Sequence, residues 1–279
     1  MRVGITMFAT DVSIGVVELA RACEARGFDS LWLPEHTHIP LSRRTLPPTG
    51  ETVLGDRYLR SLDPLVALTA AATATTDLRL GTAVALVAQR DPVVTAKAVA
   101  TLDLVSGGRF SLGIGFGWNE DEMETHGVDP RRRRSVAREH VLAMRALWEQ
   151  EEASFEGEHV RLAPSWSWPK PVQAPLPVLV GGMAGPGLFA HVAEYAQGWM
   201  PVGGRALGDS IARLHEAVAA AGRDPSGIEV VPVVEVVEAG KVAHLRDAGA
   251  TGCALRVPSA PADEVLRVLD AHAALLATL

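Results

Sequence analysis

Short apolar runs alternate along the chain with longer stretches in which apolar residues recur every three or four positions. That is the pattern of repeated βα units. Runs at 2–8 (RVGITMF), 30–34 (SLWLP), 78–87 (LRLGTAVALV) and 109–115 (RFSLGIG) predict strands. Four more follow at 177–182, 198–202, 228–234 and 252–257. Helical periods fall near 13–26, 64–76, 92–105, 131–150, 186–196, 206–221, 237–248 and 261–277. Strict alternation of this kind predicts an α/β protein, a single (β/α)8 TIM barrel domain over 1–279.

Three Asp-Pro pairs, Asp63-Pro64, Asp91-Pro92 and Asp129-Pro130, read as helix starts. Each sets an N-cap acceptor before a residue whose missing N–H costs nothing in the first turn. The helix from 131 carries Ala137, Val141, Met144 and Trp148 on one face to bury. Two connections exceed ordinary length: 37–62 after strand 2, and 151–176 before strand 5, which contains a short hairpin (SFEGEHVRL). Long loops in compact domains are often functional, so both are expected on the way to the active face.

Composition narrows the classes. Apolar residues make up 48% and charged residues 21%, enough for a large core and too apolar for disorder. A net charge of −7 argues against a nucleic-acid partner but not against a small anion held locally. Cys23 and Cys253 belong to no metal-binding or redox spacing, and Cys23 lies on an apolar helix face, a buried thiol. No signal-peptide pattern and no membrane-length apolar run is present, so a cytoplasmic protein is expected, with a small-molecule substrate and no membrane partner.

A barrel builds its site from residues that follow the strands. Strand 2 ends in Glu35, His36 and His38; strand 3 in Gln89, Arg90 and Asp91; strand 4 in Gly115, Gly117, Trp118 and Asn119. Strands 5 and 6 supply Gly181, Gly182, Met183 and Trp199, Met200, Pro201; strands 7 and 8 supply Glu235 and Arg256. The three lysines, Lys97, Lys170 and Lys241, all fall elsewhere, which excludes Schiff-base chemistry. A metal hydrolase could start from His36-x-His38 but lacks further ligands on the other strand ends, so no metal is expected. Paired glycosidase carboxylates are not placed face to face.

Small residues (Gly81, Ala83, Gly115, Gly117) flanked by Trp118, Trp199 and Met200 suit a flat ring. The turn Gly181 to Gly185, running into a helix at Pro186, suits a phosphate. The triple glycine of "GIGFGWNED" lacks the third glycine and following acid of a dinucleotide fingerprint, because Trp118 stands where that glycine is required.

The stretches "LWLPEHTHIPLSRRTLPP" (31–48), 78–127, "FEGEHVRLAPSWSWPKPVQ" (155–173) and 177–202 resemble the bacterial luciferase-like family, specifically its branch that uses the deazaflavin coenzyme F420. The resemblance implies a ring in the barrel mouth contacted by Ala83, Val84, Gly115, Trp118, Asn119, Met200 and Pro201, with phosphate near Gly181, Gly182 and Met183. Ala83-Val84 fall where that family often has a non-prolyl cis peptide. It implies catalytic roles for His36 and Glu35, substrate contacts at His38 and Arg256, and a homodimer. Trp118 stands where relatives carry a glutamate, so His36 or the substrate must handle the proton. Arg43 and Arg44 are expected near the cofactor's acidic tail, and Arg131–Arg134 as a solvated run or a second partner of that tail. The alternatives are an FMN-dependent monooxygenase of the same fold, a metal hydrolase, and a non-catalytic flavin or deazaflavin carrier.

Overall fold

The computed structural model describes residues 1–47, 50–202, 206–235 and 238–277. Pro48 and Val237, each inside a segment named above, lie outside them. All eight expected strands form. They are β1 (Arg2–Thr6), β2 (Ser30–Leu33), β3 (Arg79–Thr82) and β4 (Phe110–Ile114), then, past a hairpin β5 (Ala153–Glu156) and β6 (Arg161–Ser165), β7 (Val178–Gly181) and β8 (Gly198–Met200). The seventh expected strand is split into β9 (Glu229–Val230) and β10 (Val233–Val234), and β11 (Gly252–Arg256) completes the set.

Apart from the hairpin, the strands named above all pair in parallel, in the order β10-β11-β1-β2-β3-β4-β7-β8-β9. The two ends belong to one strand, so the sheet closes. Val231 and Val233 donate to Trp199 and Pro201 on one side (2.9 and 2.8 Å), and the Pro232 carbonyl accepts from Ala254 on the other (2.9 Å). Pro232 has no N–H to give the ladder, which is where the strand divides.

The barrel interior holds Trp32, Leu179, Val231, Val233 and Ala254, with Met200 toward the mouth. Trp32 dominates it. A Cβ on Gly81 would lie 2.2 Å from the Trp32 ring, so that glycine makes room for a core side chain and not for a ligand. A larger core fills the space between barrel and helices and includes both cysteines, whose thiols burial pushes up to about 12.

The helices are α1 (Val16–Ala25), α2 (Asp56–Leu59), α3 (Pro64–Ala74), α4 (Pro92–Ser106), α5 (Glu120–Thr125), α6 (Arg133–Glu149), α7 (Pro186–Tyr195), α8 (Leu207–Ala220), α9 (Ala239–Asp247) and α10 (Ala262–Leu276). Asp63 and Asp91 cap α3 and α4 as expected, accepting from Leu65 and Val66 and from Val94. The third pair does not cap a helix. Asp129 accepts from the Arg131 amide in a turn, and α6 starts at Arg133, behind Arg132.

Strand 3 is also shorter than its apolar run. After Thr82 the ladder is interrupted at a cis Ala83–Val84 peptide, Ala85 pairs once more with the β4 side (donating to Gly113 O and accepting from Gly115 N, 2.7 and 2.8 Å), and a 3-10 turn, Val87–Gln89, follows. The insertion at 151–176 lies along α6, with Glu139 accepting from the amides of Glu158, His159 and Val160, and it contributes nothing to the barrel mouth. The insertion at 37–62 does reach the mouth, through α2.

Candidate active site

At the C-terminal ends of the strands lies a cavity of about 320 Å³, within the size range of small-molecule sites. It brings together Glu35, His36, Ala83, Val84, Gly115, Trp118, Gly181, Gly182, Met200 and Arg256 from the sequence-derived set. His38, Asn119, Met183 and Pro201 do not line it.

Glu35 and His36 follow β2 side by side but do not act on each other. Glu35 is buried and accepts from the Leu86 amide (2.7 Å) and from Arg90 Nε (2.6 Å). Arg90 also reaches Asp63. Burial opposes the Arg90 charge, yet the two carboxylates outweigh it and raise its pKa. Glu35 therefore anchors the chain that follows β3.

The carboxylate that serves His36 is Glu122 on α5. Its Oε2 lies 2.8 Å from His36 Nδ1, and its Oε1 accepts from the Thr37 amide at 3.1 Å. Glu122 is fully buried and His36 is 8% exposed. On the other side of the ring, Trp118 Nε1–H donates to His36 Nε2 at 3.2 Å. An indole N–H can only donate, and a carboxylate can only accept. The two contacts together place the imidazole proton on Nδ1 and leave Nε2 as an acceptor facing an N–H donor.

Glu122 left a faint sequence signal. In "NEDE", Asn119 caps α5 by accepting from the Glu122 amide (3.4 Å), so the acid reads as an ordinary capping-box partner. Asn119 is buried as that cap, away from the cavity. His38 packs outside the cavity: its Nδ1 and His126 Nε2 both meet the Thr37 hydroxyl, at 3.0 and 2.7 Å.

Two aromatic residues absent from the expected set complete the chamber. Tyr58, on α2, packs edge-on against His36 (5.5 Å between centroids) and near Trp118 (6.1 Å), and Phe8 lies 5.0 Å from Tyr58. Arg256 is 5.8 Å above the Phe8 ring and paired with Glu235 at 2.9 Å. The Thr45 hydroxyl donates to the Trp118 carbonyl (2.9 Å), so the 37–62 insertion braces the Trp118 turn.

The glycines of the mouth serve packing within the protein. A Cβ on Gly115 or Gly181 would meet Val84 at 2.3 or 2.6 Å, so these positions let Val84 project into the wall. Gly182 is also engaged, donating to Met200 O (3.2 Å) and accepting from Trp199 Nε1 (2.9 Å). The amides of Met183, Ala184 and Gly185 have no partner among the described residues, and they lead into α7 at its positive end. The Met183 side chain is 86% exposed, so only its backbone belongs to the turn. Pro201 acts through its carbonyl in barrel closure.

Positive charge at the mouth comes from Arg133 and Arg134. Both line the cavity, and neither pairs with a carboxylate among the described residues. Arg134 lies over the Phe116 ring (4.7 Å), and a Cβ on Gly187 of α7 would be 3.6 Å from its Nη1. Arg43 and Arg44 are elsewhere. Arg44 is tied to Glu124 and Asp121 (2.6 and 3.1 Å), and Arg43 donates to the Pro40 carbonyl. Among the described residues no group of three or more His, Cys, Asp or Glu side chains could hold a metal ion, and no helix is long and apolar enough to cross a membrane.

Comparison with known proteins adds the lineage. Residues 11–248 match the luciferase-like monooxygenase family. An uncharacterised protein of Mycobacterium tuberculosis is 44% identical over 284 residues, 99% of each chain. Among solved structures, a monooxygenase from Streptomyces bottropensis superposes with a TM-score of 0.82 at 21% identity, covering 100% of this chain and 99% of its own. An F420-dependent secondary alcohol dehydrogenase, solved with an F420-acetone adduct, gives 0.79 at 21% identity over 99% and 98%. At such identities the two structures speak for the fold.

Proposed function

We propose, for a chain that belongs to the luciferase-like monooxygenase family, an oxidoreductase that moves a hydride between the deazaflavin coenzyme F420 and a small alcohol or carbonyl substrate in the barrel mouth. The observation that carries this reading is the Trp118–His36–Glu122 line, a donor beside an acceptor whose tautomer is fixed from behind. A carbinol oxygen accepts from Trp118 Nε1–H while its hydroxyl proton passes to His36 Nε2. In reverse, the same two groups hold a carbonyl oxygen and return the proton. Glu122, with His36 Nδ1–H at 2.8 Å, stabilises the imidazolium formed in between. His36 is fixed by that bond, so the half-buried Trp118 is the partner that yields when substrate inserts between them.

The residues present fit the proposed cofactor. The free amides of Met183 to Gly185, the positive end of α7 and Arg134 surround one corner where a phosphate would be held. Ala83 and Val84 form the wall for a flat ring. When bound, F420 supplies hydride donation or acceptance at C5 of its ring. The protein supplies the placement, the proton at Nε2, and an apolar chamber of Phe8, Tyr58 and Trp118 that keeps water from the reacting carbon.

Titration with oxidised F420 and, separately, FMN tests the assignment through quenching of tryptophan fluorescence. Saturable binding of F420 is expected, with His36→Ala binding normally and turning over no substrate. Tight binding of FMN alone contradicts the deazaflavin reading.

A further inference from the structure

The Arg133–Arg134 pair is placed against every local electrostatic preference. Both open α6, where the unpaired amides already make the helix end positive and acidic side chains are favoured. They are neighbours in sequence, they line a largely apolar cavity, and Arg134 also faces the positive end of α7. Arg132, one residue earlier, is neutralised by Glu158, but no carboxylate serves the other two among the described residues. The charge of Arg134 is felt at His191, whose pKa is lowered by burial and then by Arg134. Departures from local rules of this kind are expected where a ligand supplies the missing charge.

One anion does not balance the pair. The free amides of 183–185 lead into the end of α7 that Arg134 approaches at Gly187, which suits a single phosphate. Arg133 is separate from that corner in its commitments. It is half-buried, its Nη1 donates to the Pro130 carbonyl (2.5 Å), and its Nε has no partner among the described residues. Resting on the deazaflavin reading, we propose that Arg133 binds a second anionic group of the same ligand, the carboxylates carried beyond the phosphodiester. The site thereby selects a tailed deazaflavin over its ring-and-phosphate core. The cation expected in the 37–62 insertion, at Arg43 and Arg44, is supplied instead by α6.

The test measures dissociation constants by fluorescence for three forms of the cofactor: the riboside without phosphate, the phosphodiester with its glutamates removed, and intact F420. The parental protein should bind them with rising affinity in that order. Arg133→Gln should weaken intact F420 about tenfold and leave the trimmed phosphodiester within twofold, with Arg133→Lys restoring most of the loss. Thermal unfolding of both variants, followed in parallel, should match the parent, since removing positive charge from a helix N-terminus does not destabilise it. Equal loss for trimmed and intact forms would make Arg133 a phosphate ligand and overturn the proposal, as would no loss for either. If none of the three deazaflavins binds the parent while FMN does, the cofactor reading itself fails, an outcome distinct from both.

Discussion

Replacing Trp118 by Phe isolates one atom of the site. The phenyl ring keeps the wall against His36 and Tyr58, whose centroids lie 5.5 and 6.1 Å from that of Trp118, and loses only the Nε1–H that points at His36 Nε2 from 3.2 Å. In the resting protein that loss is small, because Nε2 opens to the cavity and water replaces the donor. In the reaction the same N–H is aimed at an oxygen that gains charge as hydride moves. A hydrogen bond to a charged group contributes about 1.5–3 kcal/mol, so kcat/KM should fall about 10- to 150-fold.

The assay follows the deazaflavin absorbance with a panel of secondary alcohols, alongside fluorescence titration of the cofactor. Cofactor affinity should stay within twofold. A variant that turns over within twofold of the parent would remove the oxygen-anchor role. A loss of cofactor affinity as large as the loss of rate would make Trp118 part of the ring's bed instead.

Other consequences follow from particular contacts. Glu35→Ala leaves Arg90 and the Leu86 amide without their carboxylate, and should cost about 3 kcal/mol of stability in urea denaturation; a cost under about 1 kcal/mol would contradict the anchoring role. Burial is the leading cause that lowers the pKa of His140, His191 and His272 below 6.5. The unfolded chain therefore binds more protons below that pH, and stability should decline as pH falls through about 6.5; flat thermal midpoints from pH 7.5 to 5.5 would refute this. The outer faces of α3 and α4 expose Val66, Val93, Val94, Leu104 and Val105, and α3 has no charged side chain at all. We infer that a second copy covers this face with its own, since a self-matching, largely apolar surface, with Lys97 as its exposed charge on α4, suits a two-fold dimer. Val66→Asp with Val94→Asp should turn a dimer into a monomer in sedimentation, whereas an unchanged dimer would place the interface elsewhere.

The barrel was legible because parallel strands buried on both faces write themselves as continuous apolar runs. The same property blurred their ends. Ala85, Leu86 and Val87 are as buried as the strand before them, so the break in the ladder after Thr82 left no change in hydropathy. Asp129-Pro130 carries the chemistry of a cap and satisfies it in a turn, a choice made by packing and not by the pair itself.

Of the site, His36 and Trp118 could be found by position after a strand, whereas Val84, inside the expected strand 78–87, came only through the family resemblance. Glu122 could not, since its bond to His36 spans 86 residues and its local pattern is that of any helix start. The reasons for Gly81, Gly115 and Gly181 are likewise remote: Trp32 and Val84 need the space those glycines leave.

The most direct measurement is the fate of a label. With a secondary alcohol deuterated at the carbinol carbon, in a single turnover with oxidised F420, one deuterium per turnover should be recovered in the reduced cofactor and none in solvent. His36→Ala should abolish the transfer without preventing binding. Deuterium released to water, or product formed only with FMN and dioxygen, would contradict hydride transfer at this site.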